Sequence, residues 1–458
     1  MYPKLVSSLC LLIVLTACGR SAEPPVTLAI RTPEPIPTTT LANPPTPTSA
    51  VSLSSARPLD PAILPILERV SAERLIATVT DLAGMGTRHV LSTRDDPLTG
   101  IGAARDYLLA QFTALQDANP SKQIAVWTQP FTYTWRVWTI QAENVVAIFP
   151  GSAPDAGVYI VGAHYDSVSN DPFNGNMPAP GANDNASGVA AVLEIARILA
   201  PRSHRATVIF VAFSGEETGR QGSLAFVNEY LRAQNPAIPV AGMVNLDIVG
   251  SPEGARGVRD PRTMRLFSAS PNDSVGRAFA RQMMWVANTY ITDMNVVLQT
   301  TEDRDGRWGD QMSFTAVGYP SARLMQGVEN TARQHSPYDT VEGVDAAYLR
   351  RATRVALAAI LTLAEGLPPP LFQGLRREGD TISASWTPVS GAGGYLILLR
   401  GRDSLFYDTV LTVNGGDLGR ITWEHFGAFE TIAMMSVAPS GWAGAASAEV
   451  AIGRWLGQ

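Results

Sequence analysis

The sequence predicts an α/β protein, a mostly parallel mixed sheet flanked by helices, with a small all-β sandwich at the carboxyl end. Three observations predict it. Apolar, β-branched runs of strand length recur at 157–163, 206–213 and 242–246. Helical spacing intervenes, as in Val189, Val192, Leu193, Ala196 and Leu199 before Pro201. Beyond Leu367-Pro368-Pro369-Pro370 the pattern changes to short alternating strands.

Taken in order, the 458 residues open with Lys4 and an apolar run from Leu9 to Leu15. That run is too short for a stable membrane span and reads as an export signal over 1–18. Leu15-Thr16-Ala17-Cys18 resembles the bacterial lipobox. The resemblance implies a lipidated Cys18 and an exported protein, anchored through its amino-terminal lipid at the cell surface or the periplasmic face of a bacterial membrane. Cys10 and Cys18 are the two cysteines, so the mature chain forms no internal disulfide. Residues 19–56 are rich in Pro, Thr and Ser and poor in large apolar side chains, which predicts a disordered tether.

A first domain is expected over 57–366 and a second over 367–458. Helical patterns cover 63–82 and 101–112, separated by a segment holding Arg88-His89. Strands are expected at 124–133 and 144–149, followed by the Pro150-Gly151 turn. The formal net charge is -6 and the arginines are scattered, which gives nucleic-acid binding no electrostatic support.

The segment 161–188 sets His164-x-Asp166 and Asn183-Asp184-Asn185 at the two ends of one loop. His164 ends one expected strand, Ser214-Gly215-Glu216-Glu217 follows the next, and Asp247 follows the third. Ligands in open α/β sheets collect beyond the carboxyl ends of parallel strands. Each motif alone is an ordinary turn or polar pair; their convergence on one edge, with His335 still to come, points to a metal. Imidazole and carboxylate oxygen suit borderline divalent ions such as zinc.

These residues resemble the co-catalytic di-zinc aminopeptidases, the bacterial leucyl aminopeptidase and aminopeptidase Y type, to which glutamate carboxypeptidase and glutaminyl cyclase are related. The resemblance spans about 71–366 and is carried by GAHYDS, PGANDNASG, FSGEETGRQGS, VNLDIVG and HSPYDT. It implies a zinc exopeptidase fold and two Zn2+ ions. His164 and Asp247 correspond to ligands of one ion, Glu217 and His335 to ligands of the other, Asp184 to the bridge and Glu216 to the general base. It also implies a cis peptide between Asp184 and Asn185. Metal-bound imidazoles commonly donate their second N–H to a carboxylate, which makes Asp166 and Asp339 candidates for that supporting role.

The chain departs from the family in two places. A histidine common before Phe is replaced in Asp310-Gln311-Met312-Ser313-Phe314, and Gln334 stands where many relatives carry Tyr to hold the reacting carbonyl oxygen; its amide can still donate. Residues 251–310 are the least legible, and their aromatics, Trp285, Tyr290 and Trp308 among them, are expected in the core. His89, His204 and His425 are read as surface or structural. Ile382, Ala384 and Trp386 alternate, as do Tyr395, Ile397 and Leu399. The segment around ISASWTPVSGAGGY resembles a fibronectin type III module, with a role in positioning, adhesion or stability.

The sequence therefore reads as an exported zinc metallopeptidase acting on peptide substrates, an aminopeptidase by resemblance. A glutaminyl cyclase, a carboxypeptidase-type relative and a non-catalytic surface binding protein stand as alternatives. Side-chain preference and oligomeric state are open.

Overall fold

The computed structural model describes residues 62–456. Its main sheet has eight strands: β1 (Ala125–Trp135), β2 (Trp138–Phe149), β3 (Val158–His164), β4 (Thr207–Phe213), β5 (Val240–Leu246), β6 (Thr263–Ser268), β7 (Asn295–Leu298) and β8 (Ser321–Gln326). They lie in the order β1-β2-β4-β3-β5-β8-β6-β7. β4, β3, β5 and β8 are mutually parallel, whereas β2 joins β4, and β6 joins β8, antiparallel. The four central strands therefore deliver their carboxyl ends to one edge. β3 is buried along its whole length, which explains its unalternating apolar run: helices cover both faces of a parallel sheet.

The helices are α1 (Ile63–Leu67), α2 (Ala72–Gly84), α3 (Gly100–Ala118), α4 (Ser187–Leu199), α5 (Gln221–Ala225), α6 (Val275–Tyr290), α7 (Gln311–Thr315) and α8 (Ala346–Glu365). The helical pattern over 63–82 is divided where Ser71 caps α2. Its hydroxyl accepts from the Arg74 N–H at 3.2 Å, and its own N–H donates to Glu194 at 2.8 Å. α8 starts where Asp345 accepts from the Tyr348 N–H at 2.8 Å. The expected strands at 124–133 and 144–149 lengthen into one hairpin, paired from Ala125↔Ile148 to Trp135↔Trp138. In the illegible stretch, Trp285 and Tyr290 are buried as expected, but Trp308 is 45% exposed.

Beyond Pro370 come β9 (Leu371–Glu378), β10 (Thr381–Thr387), β11 (Gly394–Arg400), β12 (Thr409–Asn414), β13 (Arg420–Trp423), β14 (Thr431–Val437) and β15 (Ala443–Ala446). β9, β10 and β13 form one antiparallel sheet, and β12, β11, β14 and β15 a second. Trp386, Tyr395, Ile397 and Leu399 fill the space between them. The intervening Leu396 and Leu398 face the other way and join the core of the large sheet. A buried ion pair, Arg281 Nε to Glu449 Oε1 at 2.7 Å, crosses the same contact.

Candidate metal centre and active site

His164 is the last residue of β3, opposite Phe213 at the end of β4. The chain then turns through Gly215, whose φ of +73° suits glycine, to present Glu216 and Glu217. Asp166 fixes that turn, because its two carboxylate oxygens accept from the Glu216 and Glu217 N–H groups, each at 3.1 Å. The same carboxylate lies beside the His164 imidazole. Nδ1 lies 3.1 Å from the Asp166 main-chain carbonyl oxygen and 3.6 Å from the carboxylate, which the two amides occupy.

The Asp184 segment is held from three directions. Asp339 accepts from the Asn183 N–H at 3.0 Å and the Asp184 N–H at 2.8 Å, so it holds the backbone of this segment. Asn183 donates to Gln326 at the end of β8 and accepts from the Gly250 N–H. Asn185 donates to the Leu246 carbonyl and accepts from the Gly188 and Ile248 N–H groups. A Cβ on Gly188 would stand 2.2 Å from the Leu246 carbonyl oxygen, so only glycine lets the start of α4 lie against the end of β5. The Asp184–Asn185 peptide is cis, as the resemblance implied.

These constraints aim the two Asp184 oxygens apart. Oδ1 lies 3.3 Å from His164 Nε2, which is 3.5 Å from Asp247 Oδ1. Oδ2 lies 3.3 Å from His335 Nε2, which is 3.2 Å from Glu217 Oε2. His164, Asp184 and Asp247 form one group with donor atoms within 4.8 Å of one another, and Asp184, Glu217 and His335 form a second. Asp247 Oδ1 and Glu217 Oε1 are buried without a hydrogen-bond donor. Buried carboxylate oxygens are rarely left so, and a cation held by these residues would satisfy them. The mixed imidazole and carboxylate set fits zinc.

The model for Peptidase family M28 matches residues 144–360. A probable zinc metalloprotease of Pyricularia oryzae is 36% identical over 424 residues, 82% of this chain and 84% of that relative. The chain belongs to peptidase family M28. A probable zinc metalloprotease of Leptosphaeria maculans is 37% identical over 66% of this chain and 77% of its own length. The Legionella pneumophila LapA aminopeptidase shares the fold at a TM-score of 0.54 and 18% identity, over 70% of this chain and 79% of its own. An aminopeptidase from Aneurinibacillus sp. strain AM-1 does so at 0.51 and 18%, over 66% and 95%. The protein is thus a zinc metallopeptidase with a mixed α/β fold.

Electrostatics in the M28 site follow from the crowding of carboxylates. The Glu217 charge pushes the His335 imidazole up to about 11. Burial opposes protonation of His164, but Asp247, Asp166 and Asp184 outweigh it and raise its pKa well above the ordinary value. Desolvation, with Asp310, Glu217 and Asp247 nearby, holds the Glu216 carboxyl well above the usual carboxylate range.

Several M28 site residues had no sequence signal of their own. Arg88 is fully buried; its guanidinium donates to the carbonyls of Tyr165 at 2.7 Å, Pro180 at 2.5 Å and Gly181 at 2.9 Å, tying together both ends of the loop between His164 and Asp184. Arg323 sits behind Asp247, Nη2 to Oδ2 at 2.9 Å. Asp310 is wholly buried with neither carboxyl oxygen hydrogen-bonded, and burial pushes it up to about 7. Gln334 is committed elsewhere: its amide oxygen accepts from Arg307 at 2.7 Å and its nitrogen faces Glu329 at 3.4 Å. Cys18 lies outside the described residues.

Proposed function

We propose that this M28 peptidase is an aminopeptidase holding two zinc ions, with Glu216 as its general base. The observation that carries the reading is Asp184, which offers one carboxylate oxygen to each of two donor groups. His164 and Asp247 complete one site, and Glu217 and His335 the other. Bound zinc supplies Lewis acidity toward the scissile carbonyl and eases ionisation of water. Glu216 takes a proton from the attacking water and returns it to the leaving amine; its raised proton affinity suits both halves of that task. Asp166 keeps Glu216 and Glu217 on one turn, so the base and the ligand stay side by side.

Removal of amino-terminal residues is supported by the motif resemblance. The test is digestion of matched peptides with free and acetylated amino termini, analysed for the released residue. Release from free termini alone is expected; equal release from acetylated peptides overturns the aminopeptidase reading. Chelation should abolish activity and zinc restore it, whereas activity that persists after complete zinc removal overturns the catalytic reading.

The lipobox resemblance supports export and acylation at Cys18, and no helix among the described residues is long and apolar enough to cross a membrane. A fatty-acid probe should label the wild type and not Cys18→Ser; equal labelling removes the idea. The division into 57–366 and 367–458 is likewise a proposal. The two-sheet strand order supports a fibronectin type III-like module, there to brace the peptidase core through Leu396 and Leu398.

A further inference from the structure

Beside His335 three guanidiniums converge on one carboxylate. Arg265 Nη2 donates to Glu329 Oε2 at 2.7 Å, while Arg304 Nη1 and Arg307 Nη1 donate to Oε1 at 2.5 and 3.0 Å. Asp303 stands near Arg304, 3.5 Å from Nε, but its carboxylate also receives Arg323 at 3.1 Å. The four arginines thus share Glu329 and Asp303, together with Asp247 from the metal-site residues. In a chain of formal net charge -6, this wall gathers four guanidiniums in one place.

The cluster reaches the site through Arg307, whose Nη2 donates to Gln334, the residue before His335. The Arg307 side chain is 32% exposed, so part of its fork faces solvent, and the buried Nε of Arg304 has no hydrogen-bond acceptor. A guanidinium fork that is partly open to solvent beside the site fits a carboxylate.

We propose that Arg304 and Arg307 form a subsite for a carboxylate of the peptide substrate. That carboxylate is either the side chain of an acidic amino-terminal residue or the free carboxyl terminus of a dipeptide. The proposal rests on the peptidase reading above and adds a substrate class to it. Gln334, held by Arg307 and Glu329, is a positioning residue that keeps the Arg307 fork beside His335.

The test uses the full zinc-loaded chain and kcat/KM on two matched sets. One compares peptides beginning with Glu and with Gln; the other compares a neutral dipeptide with its carboxyl-terminal amide. At least one set should favour the carboxylate by about tenfold, the scale of one well-placed ion pair in a partly desolvated site. The set that responds identifies the source of the carboxylate. The ratio should fall at least about threefold in Arg304→Gln or Arg307→Gln, and Arg307→Glu should shift preference toward a Lys amino terminus. Because these are ratios within one protein preparation, partial loss of fold or zinc cancels. Wild type that cleaves neutral peptides with ratios near unity in both sets overturns the subsite and leaves the peptidase reading standing. A preference that survives in both Gln variants overturns the assignment to these arginines. Zinc-loaded protein that cleaves no peptide overturns the peptidase reading, and the subsite with it.

Discussion

The His164–Asp247 group and the Glu217–His335 group share Asp184 but are built from different kinds of chain. His164 ends β3 and Asp247 follows β5, both on parallel strands in the middle of the sheet; their side chains are 1% and 3% exposed, and Arg323 backs Asp247. Glu217 stands on a turn held by Asp166, and His335 on a loop whose φ of +51° lies in the left-handed region. The His335 side chain is 44% exposed, and within the Glu217–His335 group only Asp184 and Glu217 approach it within ion-pair distance. One group is thus a buried floor backed by Arg323, and the other a rim opened to solvent by His335. Catalytic zinc sites keep an accessible position, and the rim is where this site has one.

The widest test of the contrast is the shared residue. Asp184→Asn should weaken both metal sites together and abolish turnover, read by zinc content beside activity; loss of a single zinc would mean that Asp184 serves only one group. Glu216→Gln comes next. It should retain both metals while the chemical step falls by about 10²-fold or more, the scale of a lost general base. Glu217→Gln should instead lower zinc content at the rim, and the reverse pattern would exchange the two roles.

A third measurement separates floor from rim directly. Under a limiting chelator, zinc should leave in two phases. His335→Ala should remove the fast phase and Asp247→Asn the slow one; a single phase in the wild type would erase the distinction. The smallest effect is expected at Asp166. Asp166→Asn keeps one amide acceptor but loses the charge that fixes the Glu216–Glu217 turn, so zinc affinity at the rim should drop about tenfold, at the lower end of the range for residues supporting metal ligands. Equal loss at floor and rim would show that Asp166 acts on His164 instead.

How much of this was legible depended on how local the cause was. The strand runs, α4 and the Ser-Gly-Glu-Glu turn were readable because each is fixed by periodicity or a glycine within its own segment. The break between α1 and α2 was not, because it depends on Glu194 accepting the Ser71 N–H from far along the chain. Trp308 was misplaced for a similar reason: an aromatic side chain is apolar in any context, but whether the sheet leaves room for it is a tertiary matter. The sequence presented Gln334 as a donor toward substrate. Arg307 and Glu329, distant until the chain folds, turned it into a brace.

The sequence by itself determined the candidate donor types and their order, His, Asp, Glu-Glu, Asp, His, and placed most of them at strand ends. Strand-length apolar runs must be buried, and their polar ends must then lie at the sheet edge. Only the tertiary structure decided what each charge faces. Asp166 took up two backbone amides while standing beside the His164 imidazole, Arg323 went behind Asp247, and Arg304 and Arg307 gathered on Glu329 near His335. The physical reason is that burial is dictated by local apolarity, whereas electrostatic pairing falls off with distance in space and is blind to distance along the chain.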